Sequence, residues 1–483
     1  MFRADLTKVA FCGVTACALS LGAAAGPRRG HTAAGVSLGG PLANKSELRL
    51  IWLVHFPRKL PPNYWRQIAS ICRTHKIQAI VPEIGTFEGY DRARLKQAVK
   101  ACHAQGTQVH PMLLSLYNWA VAKGQPERAV LKGDGTRAHD FVCPSNPTNR
   151  SRLIRTARSV VAECAVDGYM FDYIRIGYLD GCYCKHCKRR FQDETGRPVN
   201  WPAEVRPGAT HHRRFTRWRI SVITSLVAEV RKELLAVRPD LQVSAAVLPR
   251  NLWHRYGGAQ DWVDWAGKGL LDFVCPMNYV NDAKALKENL HGNGTWIGEV
   301  TQLSGPEGPI PLVSGIGHGK PLPAPATIKK LIETGRKNGA DGFIYYDERA
   351  SLGVKGYLSA LELPDVLTIE DVKVSLSGPS ATIAWTTDKL GTTVVEYAPG
   401  PLFKPTVTTK GAVREYARIT RNPATKRVAA DGKGALRHKV TLTGLERNRT
   451  YYYRVLSRDV SGLTGTAATK VCAFKTEGAA NHE

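Results

Sequence analysis

Val166-Asp167-Gly168-Tyr169-Met170-Phe171-Asp172-Tyr173-Ile174-Arg175 is a run of apolar and aromatic residues that ends in charge. Its near-continuous hydrophobicity suits a parallel strand buried on both faces. An acidic side chain inside such a run is costly to bury without a partner or a task. Asp172 is therefore the first candidate for chemistry, with a structural pairing to Arg175 as the rival role. Helical patterns flank the run over 148–164 and 213–237, so it reads as one strand of an alternating series.

Working outward from it, short β-rich runs occur at 50–56, 77–84, 107–114, 168–174, 242–248, 271–279, 311–317 and 342–347. Amphipathic patterns at 63–75, 92–105, 148–164, 213–237, 259–268, 283–290 and 326–338 lie between most of them, and one more near 354–361 follows the last. A β-then-α alternation of this length predicts an α/β fold, a (β/α)8 TIM barrel with enlarged loops. A doubly wound open sheet is the competing architecture, and no GxGxxG turn follows the first strand to support it.

The pattern changes after Pro364. Alternating segments at 372–376, 382–387, 393–397, 437–443, 451–459 and 470–475, bounded by Gly, Pro, Asn and Asp, predict an all-β sandwich. Ala384-Trp385-Thr386-Thr387, Leu442-Thr443-Gly444-Leu445 and Thr450-Tyr451-Tyr452-Tyr453-Arg454-Val455 resemble a fibronectin type III domain. That resemblance implies a core tryptophan at Trp385 and a spacer or binding role, without chemistry. At the other end, Met1–Ala25 carries Arg3 and Lys8, an apolar stretch from Val9, and Ala23-Ala24-Ala25 before Gly26. This is the layout of a secretory signal, and it predicts a secreted or periplasmic protein. Val14-Thr15-Ala16-Cys17 offers a lipoprotein anchor at Cys17, and so cell-surface association, as the alternative. The expected organisation is a signal peptide over 1–25, a Gly-rich linker over 26–46, the barrel over 47–363 and the fibronectin-like domain over 365–477.

Hydrophobic residues make up 43% of the chain and charged residues 22%, which excludes a disordered chain. The formal net charge is +26. Such a balance suits a solvated basic surface or an acidic polymer partner. No nucleic-acid motif accompanies it, and no stable transmembrane span is expected.

In a (β/α)8 barrel the functional side chains sit at the C-terminal ends of the strands and in the loops that follow. That rule selects Glu83 after strand two, His110 on strand three with Tyr117 and Trp119 beyond it, and Asp172, Tyr173 and Arg175 on strand four. It also selects Asn278 and Tyr279 after strand six, His318 after strand seven, and Asp347 and Glu348 after strand eight. Carboxylates and aromatic rings converging on one rim suit a sugar. Rings stack on pyranose faces, and carboxyls serve as acid, base or nucleophile. The rival roles are structural: an N-cap or ion pair for Glu83, a satisfied buried histidine at His110, a core aromatic at Tyr279 and solvated loop acids at Asp347 and Glu348.

The chain holds 11 cysteines. Cys72, Cys102, Cys164 and Cys275 sit in apolar segments and read as small hydrophobes. Cys182-Tyr183-Cys184-Lys185-His186-Cys187 differs. Its CxCxxC spacing offers Cys182, Cys184 and Cys187 to a structural Zn²⁺, with His186 or a distant residue as the fourth ligand. A disulfide within the loop and free thiols are the other two readings. No cofactor is required by any motif.

Taken together, Asp140-Phe141-Val142-Cys143-Pro144-Ser145-Asn146-Pro147, the strand-four run and Pro276-Met277-Asn278-Tyr279 resemble the bacterial glycosyl-hydrolase-like barrels of the family 10-like group. The resemblance covers essentially the whole barrel and implies hydrolysis of O-glycosidic bonds, with Asp172 as the matching acidic position. A more distant similarity is to the family 18 chitinases, whose fourth strand reads DGxDxDxE. Asp167, Gly168 and Asp172 match that pattern, and Met277 and Tyr279 match its strand-six element. Met170 and Ile174 depart from it, and Ile174 stands where those enzymes carry their general acid. A second carboxyl is then expected from Glu83 or Asp347.

The expectation is an exported glycoside hydrolase acting on a polysaccharide or oligosaccharide through a carboxylate pair that includes Asp172. The alternatives are a carbohydrate-binding barrel without catalysis and a surface protein that binds an acidic polymer. Val54-His55-Phe56 lacks the His-x-His of an amidohydrolase, and neither a phosphate-cradling Gly-rich loop nor a GxSxG elbow occurs.

Overall fold

The structure is a computed structural model of the full chain. It describes residues 47–54, 60–178, 180–249, 256–291, 312–317, 323–338, 340–346, 365–409, 415–461 and 466–477, with two short backbone pieces at 304–305 and 308–309. The expected signal over 1–25, the linker over 26–46, His318, Asp347, Glu348 and the helix near 354–361 lie outside the described residues.

Eight parallel strands form the barrel: β1 (Leu48–Leu53), β2 (Ala79–Thr86), β3 (Met112–Leu114), β4 (Gly168–Asp172), β5 (Gln242–Val247), β6 (Phe273–Pro276), β7 (Val313–Ile316) and β8 (Gly342–Tyr345). Their hydrogen-bonded order runs β6-β5-β4-β3-β2-β1-β8-β7. The remaining seam, β6 to β7, is joined by a parallel bridge between Val274 and Leu312. Asn278 reinforces this seam, its buried Nδ2 donating to Ser314 Oγ at 3.1 Å.

The helices are α1 (Tyr64–Thr74), α2 (Arg92–His103), α3 (Trp119–Gly124), α4 (Pro147–Glu163), α5 (Lys185–Thr195), α6 (His212–Val237), α7 (Trp262–Gly267), α8 (Ala283–His291) and α9 (Pro325–Lys337). Their sequences explain their faces. In α1 the buried residues are Trp65, Ile68, Ala69 and Cys72, spaced as one stripe of a 3.6-residue helix. Caps set the starts: Asp91 accepts from Arg94 N at 2.9 Å before α2, and Asn146 accepts from Thr148 N at 2.9 Å before α4.

Strand parity divides the core in two. Leu50, Trp52, Val81, Met112, Met170, Ala246, Cys275 and Ile344 fill the barrel interior. Ile51, Leu53, Ile80, Leu113, Tyr169 and Phe171 face the helices. Each fully buried aliphatic or aromatic side chain contributes roughly 1.5–3 kcal/mol, so this double layer supplies the bulk of the stability. Two glycines make the interior possible. A Cβ on Gly168 would lie 2.1 Å from His110 Nδ1, and one on Gly315 would lie 2.8 Å from the Trp52 ring.

The C-terminal sandwich contains β9 (Ile369–Ser377), β10 (Ser380–Ala398), β11 (Phe403–Thr409), β12 (Glu415–Arg421), β13 (Lys426–Leu442), β14 (Thr450–Arg458), β15 (Thr466–Ala468) and β16 (Cys472–Lys475). Trp385 is 2% exposed and packs in a core with Ile383, Val395, Tyr451, Tyr453 and Val455. The two runs expected at 382–387 and 393–397 are one strand. The intervening Asp388-Lys389-Leu390-Gly391 is an irregularity in the pairing with β13, where Gly391 lies close against Leu367 and Ser457. The β11–β12 ribbon was not apparent in the sequence. No helix among the described residues is long and apolar enough to cross a membrane.

Candidate functional site

Interior parity places Glu83 on β2 and Asp172 on β4 at the C-terminal mouth of the barrel. Glu83 follows Ala79 and Val81 on the inward face, and Asp172 follows Gly168 and Met170. One strand, β3, separates them, with Met112 opposite Glu83 and Leu114 opposite Asp172. Two strand spacings separate the strands by about 10 Å, and the Asp172 charge reaches the Glu83 carboxyl across that gap.

Asp172 is 8% exposed. Burial pushes its carboxyl up, while the Arg175 charge and the Tyr173 N–H pull it back down. Tyr173 N donates to Asp172 Oδ1 at 2.6 Å, and Arg175 Nη1 lies 4.0 Å from the same oxygen. Glu83 has no comparable support. Burial, and then the Asp172 charge, push it up to about 7. The two acids thus occupy different environments, one held by a cation and a backbone N–H, the other inclined to keep its proton.

Tyr173 adopts φ 49°, a left-handed conformation that a bulky side chain rarely takes. This turn directs the chain out of the barrel and lays the Tyr173 ring beneath the Arg175 guanidinium, 4.3 Å from the ring centre. Arg175 Nη1 is buried and makes no hydrogen bond. Strained backbone and an unsatisfied donor beside a carboxylate are features that collect at functional sites.

Two aromatic walls rise from the mouth. On one side Tyr117, Phe141, Tyr173 and Tyr178 pack together, with Tyr117 and Tyr173 centroids 4.6 Å apart and Phe141 5.8 Å from Tyr173. On the other, Trp52, Tyr279 and Tyr346 meet edge to face, with Tyr279 and Tyr346 centroids 5.0 Å apart. Burial raises the Tyr279 phenol, and the Asp172 charge adds to that rise. Burial raises Tyr173 as well, with the Asp172 charge next and that of Glu83 a fainter addition. Glu83, Asp172, Tyr173, Arg175 and Tyr279 therefore share one electrostatic neighbourhood.

Three other sequence candidates sit elsewhere. His110 faces the interior at the opposite end of the barrel, against Gly168 and Phe273, with Nε2 3.0 Å from Gln108 Oε1. Burial pushes its imidazole down to about 4, so it is neutral at ordinary pH. A substrate contact from His110 is thereby corrected, since it lies on the barrel floor and is fully buried. Asn278 is spent on the β6–β7 seam, although its Oδ1 makes no hydrogen bond. Trp119 opens α3 and is 60% exposed, outside both walls. Trp52 and Tyr346 were the converse case. Trp52 stands at the last inward position of β1, so strand parity was the signal that marked it.

Beside the first wall, the CxCxxC loop folds against a hairpin formed by Ala129–Leu131 and Arg137–Val142. Cys143 follows that hairpin and joins Cys182, Cys184 and Cys187. All four are buried, and their sulfurs lie within 4.8 Å of one another. Cys143 was not among the expected ligands, because it lies 39 residues before Cys182 in the chain.

Comparison with known proteins bears on the barrel and the sandwich separately. Residues 90–303 match the family Glycosyl hydrolase-like 10, and residues 369–476 match the N-terminal domain of purple acid phosphatase. No curated protein matches the chain. Among solved structures, the PgaB (BpsB) glycoside hydrolase domain from Bordetella bronchiseptica aligns with a TM-score of 0.52 at 12% identity, over 66% of this chain and all of that domain (100%). A β-galactosidase from the haloarchaeon Halorubrum lacusprofundi aligns with a TM-score of 0.49 at 14% identity, over 65% of this chain. The aligned part spans 57% of that enzyme's length. The barrel is thus similar over residues 90–303 to the family Glycosyl hydrolase-like 10, and the domain that follows it is a fibronectin-like sandwich.

Proposed function

We propose that the chain is an exported glycoside hydrolase that cleaves O-glycosidic bonds of a polysaccharide or oligosaccharide, with Glu83 as general acid and Asp172 as its ionised partner. The observation that carries this reading is the pairing of two inward carboxyls at the barrel mouth, with Glu83 pushed up to about 7 by burial and then by Asp172. An acid still protonated near neutrality can give its proton to the glycosidic oxygen as the bond to the anomeric carbon breaks. Asp172, supported by Tyr173 N–H and Arg175, is suited to carry negative charge opposite the positive charge that develops on the sugar ring. The two aromatic walls supply faces for pyranose stacking. Asp347, the other expected partner, lies outside the described residues.

Export rests on the charged, apolar and small-residue pattern of Met1–Ala25, with a lipid anchor at Cys17 as its variant. The matched glycoside hydrolase domain supports a carbohydrate partner. A purified-enzyme hydrolysis assay across a glycan panel, run beside Asp172→Asn, tests the reading. Cleavage by the wild type that is lost in Asp172→Asn is the expected result, and cleavage that survives intact removes Asp172 from the mechanism. Binding without cleavage of any glycan makes this a carbohydrate-binding barrel instead.

A further inference from the structure

Four cysteine sulfurs converge on one point beside β4, which the scattered Cys72, Cys102, Cys164 and Cys275 do not. Cys143 Sγ lies 3.4 Å from Cys184 Sγ and 3.6 Å from Cys187 Sγ. All four sulfurs are mutually within 4.8 Å. Thiolates at about 2.3 Å from a tetrahedral Zn²⁺ would stand about 3.8 Å from each other, so the cluster has the size of such a site. A disulfide draws two sulfurs to about 2.0 Å and serves one pair only. Cys143 is almost equally close to two partners, which no single disulfide satisfies. None of Cys143, Cys182, Cys184 and Cys187 is in a disulfide.

We propose that Cys143, Cys182, Cys184 and Cys187 bind one Zn²⁺ as a closed four-thiolate site, and that this ion staples the Tyr117–Phe141–Tyr173–Tyr178 wall of the cleft. Four sulfur donors in tetrahedral reach select zinc over the oxygen-seeking cations. With every position taken by protein, the site is structural and leaves no place for a reacting water. Leu131 N–H points at Cys182 Sγ at 3.4 Å, the kind of outer hydrogen bond that steadies a thiolate ligand.

The staple joins two segments. Cys143 directly follows the strand that carries Phe141, whose ring lies 5.5 Å from Tyr117 and 5.8 Å from Tyr173. Cys182 ends the loop that leaves β4 at Tyr173 and carries Tyr178, whose hydroxyl donates to Asp140 at 2.7 Å. Cys184 caps α5 and Cys187 lies in its first turn, so the helix is anchored by the same ion. The metal assignment is independent of the hydrolase reading. Only its effect on substrate binding rests on that reading.

The test uses the full-length protein purified without chelator. Elemental analysis should give one zinc per chain, and X-ray absorption should show a shell of four sulfurs at about 2.3 Å. Cobalt substituted into the wild type should give the intense visible bands of tetrahedral thiolate cobalt. Cys143→Ser should lower the zinc content, and Cys143→His, which keeps a donor, should retain the metal with an altered cobalt spectrum. These readouts need no substrate, so they stand whether or not a glycan is cleaved. Where a glycan is cleaved, Cys143→His should raise KM more than it lowers kcat. A folded chain without metal, a chain whose four thiols are oxidised in pairs, or an iron-thiolate spectrum in place of zinc would each overturn the proposal.

Discussion

Glu83 on β2 and Asp172 on β4 both point into the barrel mouth, with β3 between them. Burial first, and the Asp172 carboxylate second, push the Glu83 carboxyl up to about 7. Hydrolysis that needs Glu83 protonated should fall as pH rises through about 7. Glu83→Gln should lose this alkaline limb and lower kcat/KM on unactivated glycans by about 10²–10⁴-fold. Initial rates against pH for both proteins check this, and an alkaline limb that persists in Glu83→Gln would assign it to another group.

The same shift lowers stability. Glu83 ordinarily titrates near 4.5 and here near 7, so between those values the folded chain binds more protons than the unfolded one. Stability present below about pH 4.5 is therefore lost as pH rises to about 7. Glu83→Gln should be more stable than wild type near pH 8 by about 1–3 kcal/mol, and no more stable near pH 4. Chemical denaturation at the two pH values measures the difference, and equal stabilities near pH 8 would show that Glu83 is not strained by its site.

Arg175 lies 4.0 Å from Asp172 and pulls its carboxyl down against the effect of burial. Without that charge Asp172 would take up a proton more readily. Arg175→Gln should therefore move the acid limb of the rate profile to higher pH, while the alkaline limb set by Glu83 stays in place. An acid limb that does not move would separate Asp172 from the step it is assigned.

His110 offers a control on position. It sits on the barrel floor with its imidazole pushed down to about 4 by burial. The unfolded chain takes up that proton near 6.5, so stability contributed above that pH is lost as pH falls towards about 4. His110→Gln should lower stability near neutrality by about 1–3 kcal/mol through its lost buried contacts, and leave kcat/KM within about twofold. A large loss of kcat/KM with unchanged folding would place His110 in the site after all.

The parts of the molecule legible in sequence were those written in local pattern. Hydrophobic runs with helices between them placed all eight barrel strands, because buried parallel strands read as continuous apolar segments. The end-of-strand rule selected Glu83, Asp172, Tyr173, Arg175 and Tyr279, which the barrel brings to one mouth. It misplaced His110, since parity says that a side chain points inward but not how deep along the axis it lies. It passed over the seam role of Asn278, which depends on Ser314 on the neighbouring strand. Cys143 was illegible for a related reason. Its sulfur meets those of Cys184 and Cys187 only after the hairpin and the β4 loop have folded together. In the sandwich, Asp388-Lys389-Leu390-Gly391 has turn composition but continues as one strand, because pairing with β13 on both sides outweighs the local preference.

In the proposed mechanism Glu83 protonates the leaving group and Asp172 supports the sugar cation. Rates on two substrates with the same sugar test it most directly: an unactivated glycoside, and an aryl glycoside whose leaving group needs no proton. Glu83→Gln should lose about 10²–10⁴-fold on the first and stay near wild type for cleavage of the second, whereas Asp172→Asn should lose activity on both. Equal losses on both substrates in Glu83→Gln, or retained activity in Asp172→Asn, would rule out these two roles.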